Sequence, residues 1–200
     1  MKVCVLVGSA RKNGISNQIC GLLQDHFKSK GLFGNFVHLA DKRIEFCDAD
    51  NLCQYAPCGV PDDLPAILEA MQSADGIIYM PVMHAFGVNS KFQAFLERVG
   101  YGYLRPLDRP LKDKIAAIIV VGRRYGHTAV YSQIMLNIML NKMIMAGSGF
   151  PALFLGMLGS AEHDDEALEA LEQTVDRMKD VYQRFHYVSA SSTQENFDCQ

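Results

Sequence analysis

Three of the chain's six cysteines, Cys47, Cys53 and Cys58, fall in one short stretch, I-E-F-C-D-A-D-N-L-C-Q-Y-A-P-C-G from Ile44 to Gly59. Thiolate is a soft, strong donor, so thiols spaced this closely suit a metal ion, an iron–sulfur cluster or a disulfide pair. Three thiols complete none of these cleanly. A second stretch with chemistry in it is G-S-A-R-K-N-G-I-S-N-Q, Gly8 to Gln18. It lies between an apolar run and a helical pattern, where free backbone N–H groups and the positive end of the helix dipole bind phosphate. Ser9, Ser16 and Asn17 supply donors, Arg11 and Lys12 supply positive charge, and Gly14 permits a tight turn. The stretch is neither G-x-G-x-x-G nor G-x-x-x-x-G-K-[ST], and no acidic residue follows where a ribose would need one. A mononucleotide fits it better than a dinucleotide.

Two further loops have mixed polar and aromatic character. Pro81-Val82-Met83-His84-Ala85-Phe86-Gly87-Val88-Asn89-Ser90 offers apolar atoms and backbone N–H groups, as the wall of a flat heteroaromatic ring requires. His84 has no nucleophile or carboxylate beside it in sequence and is read as exposed rather than catalytic. Gly122-Arg123-Arg124-Tyr125-Gly126-His127 reads either as a solvated basic loop or as a second edge of the same ligand site.

The elements that must position these loops follow from the apolar pattern. Continuous apolar runs at Lys2–Val7, Asn35–Leu39, Gly76–Met80, Lys114–Val121 and Phe150–Leu155 read as strands. Helical spacing covers Ser16 to Lys30, with Ser16 as N-cap, then Pro61–Gln72, Asn89–Val99, Ala129–Ala146 and Asp164–Tyr187. In the last of these, Leu168, Leu171, Val175, Met178, Tyr182 and Phe185 form one stripe. Strands that alternate with helices and are apolar throughout indicate a doubly wound α/β fold, a five-stranded parallel sheet covered on both faces. Ligands of such sheets sit beyond the carboxyl ends of the strands, which is where the three loops lie.

A chain of 200 residues, 49% hydrophobic and 20% charged, suits one domain over residues 1–188 with a polar, disordered tail at 189–200. A net charge of -3 gives no electrostatic case for nucleic acid or an acidic membrane. The apolar run at the start is too short for a signal peptide, so a cytoplasmic location with reduced thiols is expected, which argues against a disulfide framework. The Ala129–Ala146 helix is apolar over most of its circumference but carries a polar stripe, Gln133, Asn137 and Asn141. That excludes a membrane span and makes the helix the expected subunit interface of a homo-oligomer, dimer or tetramer.

Taken in order, G-S-A-R-K-N-G-I-S-N, then A-D-G-I-I-Y-M-P-V with K-F-Q-A-F-L-E-R-V, then I-I-V-V-G-R-R-Y-G-H with a later M-A-G, resemble the NAD(P)H-dependent FMN reductases, over Met1 to about Tyr187. The resemblance implies a flavodoxin-like fold. It places the FMN phosphate on Ser9, Arg11, Gly14, Ser16 and Asn17, with Lys12 in the same loop. Pro81, Val82, Met83 and His84 would lie along the isoalloxazine ring, and Gly122, Arg123, Arg124 and Tyr125 on its far side. Met83 stands where the family has an aromatic. One branch of the family, the iron–sulfur flavoproteins, has C-x2-C-x2-C-x4–7-C followed by D-D at the position of the cysteine stretch. Here the row is Cys47, Asp50, Cys53 and Cys58, then Asp62-Asp63. Carboxylate is a harder donor than thiolate, so the resemblance puts loss of the 4Fe-4S cluster ahead of an intact one, with zinc third. The implied function is an FMN-dependent oxidoreductase taking hydride from NAD(P)H, its co-substrate, and passing electrons to a small acceptor such as a quinone or flavin. The flavin carries the chemistry and no catalytic triad is visible. The alternative is an electron carrier between proteins, which a weak negative charge disfavours.

Overall fold

The computed structural model describes residues 1–50, 52–99 and 108–192, with side chains to residue 186. Its centre is a parallel sheet. Strands β1 (Lys2–Val7), β2 (Phe33–His38), β3 (Gly76–Met80) and β6 (Ile115–Gly122) pair in the order β2-β1-β3-β6. Beyond β6 the fifth position is shared by two short strands. β7 (Ile144–Met145) pairs with Ile115 and Ala116, and β8 (Ala152–Leu155) pairs with Ile119 to Gly122. The order is that of the flavodoxin-like folds, with its switch point between β1 and β3. A two-residue antiparallel hairpin, β4 (Met83–His84) with β5 (Gly87–Val88), lies outside the sheet.

Alternate residues of each strand enter opposite cores. Val3, Val5 and Val7 pack with Ile19, Leu23 and Phe27 of α1 (Ile15–Lys30) and with Leu171, Val175 and Met178 of α5 (Asp165–Ser192). Cys4 and Leu6 pack with α2 (Leu64–Gln72), α3 (Ser90–Glu97) and α4 (His127–Leu140). Burial on both sides explains why the strand sequences are apolar throughout rather than alternating.

The element boundaries differ from the sequence pattern where side chains compete for backbone groups. Ser16 is not the cap of α1. Gly14 occupies that position in extended conformation, and Ser16 is buried in the first turn. α2 begins at Leu64 rather than Pro61, because Asp62 and Asp63 are engaged as acceptors for the backbone N–H groups of Glu45, Leu64 and Arg43. The apolar helix α4 ends at Leu140, not Ala146. Asn141 closes it, Lys142 has φ +56°, and Ile144 re-enters the sheet as β7.

The polarity of α4 is inverted relative to a free-standing surface helix. Asn137 and Asn141 face inward, where the Asn137 amide donates to the Leu96 carbonyl of α3 at 3.3 Å and the Asn141 amide to the Asn137 carbonyl at 3.0 Å. Gln133 donates to Gln93 of α3. Met135, Leu136, Met139 and Leu140 are exposed instead. In the stripe of α5, Leu171, Val175 and Met178 are buried, Leu168 and Tyr182 are half-buried, and Phe185 is exposed. α5 runs on to Ser192, past Tyr187; residues 193–200 of the expected tail lie outside the described residues. Among the described residues, no helix is long and apolar enough to cross a membrane.

Candidate functional site

The carboxyl ends of β1, β3, β6 and β8 open on one edge of the sheet, and the loops that leave them enclose a cleft of about 430 Å³. Gly8, Ser9, Arg11, Gly14 and Ser16 form one end of it. Val82, Met83, His84, Gly122 and Arg123 form the other, with Gly156 after β8. Three stretches spread over more than 100 residues of chain therefore meet in one place, as the strand order requires.

At the first end, the Arg11 N–H donates to the Ser9 hydroxyl at 3.2 Å and the Gly14 N–H to the Arg11 carbonyl at 3.4 Å. The loop curls back on itself over the start of α1, whose first amides have no carbonyl partners within the helix. Arg11 is exposed and bears its charge at this end. Anion binding is the chemistry such an arrangement supports. Lys12 and Asn17 do not line the cleft. The Asn17 amide instead donates to the Lys12 carbonyl at 2.6 Å, bracing the loop from outside.

At the second end, Pro81 is buried and its carbonyl accepts from the Val121 N–H at 3.2 Å, so it sets the loop without lining the cleft. Met83 and His84 belong to the hairpin, whose turn residues Ala85 and Phe86 have φ of +48° and +66°. Two consecutive left-handed residues make a type I′ turn, which normally selects Asn-Gly. Ala and Phe in that conformation are strained, a feature common where a loop serves a site. Gly126, at φ +85°, lets the hairpin approach: a Cβ there would stand 3.2 Å from the Phe86 backbone. Arg124 and Tyr125 line an adjoining hollow of about 390 Å³ with Phe86 and Met157, outside the main cleft. The Arg124 guanidinium lies 5.2 Å from the Tyr125 ring centre, a cation–π contact that already engages both.

Two cleft residues have contacts that the sequence pattern does not show. Asn89 precedes α3, donates to the Gly8 carbonyl at 3.2 Å and so ties the first loop to the third strand's loop. Its Oδ1 is buried without a partner. Gly8 is the other half of this contact, because a Cβ there would meet a Phe92 ring carbon at 2.8 Å and the Pro81 backbone at 3.1 Å. The Asn89–Gly8 bond crosses 81 residues of chain and, like the Gly8 approach to Phe92 and Pro81, exists only in the fold.

Cys47, Cys53 and Cys58 line a separate cavity of about 870 Å³, together with Asp50 and Arg98. All five described cysteines are free thiols. Among the described residues no three His, Cys, Asp or Glu side chains are gathered closely enough to hold a single metal ion. The Asp50 carboxylate caps the short turn Leu52–Gln54 by accepting the Leu52 N–H at 2.9 Å. The Ala49 N–H donates to the Cys47 sulfur at 3.4 Å. The deep wall is ionic: Arg98 and Asp62 form an ion pair with side-chain exposures of 1% and 0%. Burial alone would raise the Asp62 carboxyl; the Glu45 N–H, the Arg98 guanidinium and the Leu64 N–H outweigh it and hold the group below the usual carboxylate range.

Fold and cleft together define a flavodoxin-like α/β protein with a mononucleotide-sized site at its switch point. The sequence pattern of the NADPH-dependent FMN reductases matches residues 1–154, and the chain belongs to that family, a class of FMN-dependent oxidoreductases. It is 27% identical over 192 residues to an iron–sulfur flavoprotein of Methanocaldococcus jannaschii, covering 90% of this chain and 97% of that one. An iron–sulfur flavoprotein of Methanosarcina thermophila is 26% identical over 185 residues, covering 90% and 95%. Among solved structures, RosB with a bound 8-demethyl-8-formylriboflavin-5'-phosphate intermediate aligns with a TM-score of 0.68 at 16% identity, over 100% of this chain and 89% of that one.

Proposed function

We propose that the protein binds FMN in the cleft, accepts hydride from NAD(P)H and passes electrons to a small acceptor such as a quinone or a free flavin. The observation that carries this reading is the convergence of a basic, helix-capping loop and an apolar hairpin on one cleft at the switch point. The residues present fit the cofactor. Ser9, Arg11, Gly14 and Ser16 offer donors and charge to a phosphate. The unpartnered Asn89 Oδ1 offers an acceptor to a hydroxyl of the chain between phosphate and ring. Met83 and the Gly122–Arg123 backbone form an apolar wall on either side of a flat ring.

When bound, FMN supplies hydride acceptance and electron donation. The chain's own part is to bind, orient and shield. Ser9 and Arg11 anchor the anionic end, which fixes the register of everything beyond it. The strained hairpin would present Met83 and His84 to the ring, and Arg123 would add positive charge to a site that gains negative charge on reduction. Steady oxidation of NADH or NADPH by the purified, FMN-loaded protein with a quinone as acceptor is the expected result. No oxidation with quinone, flavin or azo acceptors would leave the reading of a carrier between proteins.

The cysteine cavity favours a second centre in the same chain. Three thiols and Asp50 line one hollow, and relatives of 26–27% identity are iron–sulfur flavoproteins. The donor set of Cys47, Cys53, Cys58 and Asp50 would serve a 4Fe-4S cluster with one carboxylate ligand. Iron and sulfide analysis of anaerobically purified protein tests this: about four iron per chain is expected, and none would return the site to a vestige. The exposed apolar face of α4, Met135, Leu136, Met139 and Leu140, is the proposed contact between copies in a homo-oligomer. Sedimentation of Leu136→Lys, expected to show a smaller species than the unaltered chain, tests that.

A further inference from the structure

Arg98 is the most deeply buried cation of the described residues, and it lies at the wall of the cysteine cavity. Its guanidinium has three recorded partners. One terminal nitrogen pairs with Asp62 and donates to the Glu45 carbonyl at 3.4 Å; the other donates to the Cys58 sulfur at 3.4 Å. The third guanidinium nitrogen, Nε, is buried and has no hydrogen-bond partner. Native proteins rarely leave such a donor unmet, because burial without a partner costs about 1–3 kcal/mol and more for a charged group. A latch for the loop needs only the Asp62 pair. The Cys58 contact and the unmet Nε–H are left over from that role, and both belong to the side chain that lines the cavity.

We propose that Arg98 is a positioning residue for an anionic iron–sulfur group in this cavity: it donates N–H bonds to the Cys58 sulfur and to a second sulfur of that group, and so raises the potential at which the group is reduced. This rests on the cluster reading above. Reduction adds one negative charge to the group. N–H donors and a nearby cation stabilise the more negative state, and cluster potentials respond to both. Asp62 is the opposing half of the device. It cancels part of the guanidinium charge while holding the fork in place with its second oxygen on the Leu64 N–H at 3.0 Å.

The pair makes a prediction with two signs. In Arg98→Met with Asp62→Asn, the buried pair is replaced without stranding a lone charge, which proteins tolerate well. The N–H bonds to sulfur are lost, and the cluster's midpoint potential is expected to fall, by about 59 mV if the reduced form is held tenfold less tightly. In Asp62→Asn alone the guanidinium is no longer neutralised, and the potential is expected to rise. Arg98→Lys keeps the charge without the fork and is expected between the double variant and the unaltered protein. The measurement is a redox titration of the loaded holoprotein followed by its visible and electron paramagnetic resonance spectra, with the flavin potential as internal reference. A mere latch would shift both variants in the same direction or lower iron content without moving the potential, and either result overturns the proposal. Full iron content with an unchanged potential in all three variants overturns it too. No iron in the unaltered protein after anaerobic reconstitution with iron and sulfide removes the cluster reading and this inference with it, leaving the flavin reading standing.

Discussion

The two cavities of this chain are built by opposite means. The flavin cleft is made by the sheet: its loops leave the ends of β1, β3 and β6 and are tied by backbone bonds, Gly8 N–H to Met80 at 2.9 Å and Val121 N–H to Pro81 at 3.2 Å. The cysteine cavity has no sheet beneath it. Residues 42–50 and 52–63 are irregular apart from one short turn, and side chains from α3 and the residue that closes it hold their ends. Lys91 donates to the carbonyls of Ala40 and Lys42, at 3.1 and 2.9 Å, and Arg98 to Glu45 and Asp62. A site made by the sheet has its loops placed by the strand ends themselves. A site hung on a few buried side chains is lost when one of them changes.

Substitutions can test that contrast, beginning with the most damaging. Gly8→Val places a branched side chain against Phe92 and the Pro81 backbone. It is expected to lower stability by about 1–3 kcal/mol and to weaken flavin retention by roughly tenfold or more, read from the flavin absorbance remaining after gel filtration. Cys58→Ser is expected to abolish iron binding and to leave flavin retention unchanged. If flavin departs with the iron, the two regions are not independent.

Acid separates them more gently. The folded-state pKa of Asp62 lies below its unfolded value of about 3.9, so its contribution to stability is complete above that value and drains away as pH falls through the lower, folded one. Asp62→Asn is therefore expected to be less stable than the unaltered protein at neutral pH, with the difference shrinking below about pH 4, by urea unfolding across that range. The smallest expected effect is a gain. Ala85→Asn with Phe86→Gly supplies the residues a type I′ turn selects, and is expected to add about 1 kcal/mol of stability. The same change removes the aromatic beside Met83, so turnover with a quinone should fall while flavin binding holds.

The sheet-built region was largely legible in the sequence. β-branched runs ended by Gly8, Pro81 and Gly122 located the strand ends, and loops at those ends must share an edge. Ser9, Arg11, Gly14, Ser16, Met83, His84 and Gly122 meet there. Lys12, Asn17, Pro81, Arg124 and Tyr125 are neighbours that brace or flank the cleft, a distinction that depends on side-chain direction and not on spacing. The hairpin was hidden because Ala-Phe is not a turn signal; tertiary contact with Gly126 imposes the conformation. Asn89 falls in the Pro81–Ser90 loop and Arg98 in a helical pattern, and neither spacing shows a role, since their partners lie 81 and 36–53 residues away. The stripe Gln133, Asn137 and Asn141 was seen, but its direction was not: periodicity shows that a helix has two faces and leaves open which is buried.

Helix α3 joins the two regions, with Asn89 at its start on the flavin cleft and Arg98 at its end on the cysteine cavity. At helical rise the nine steps between them amount to roughly 14 Å. One residue inserted in this helix would swing Arg98 by about 100° around the axis and carry it off the cavity wall, while Asn89 stayed on Gly8. Insertions and deletions within α3 should therefore be absent from relatives that keep the three cysteines, and permitted in relatives that have discarded them. The length of this helix is thus expected to be fixed in relatives with the three cysteines and variable in those without them.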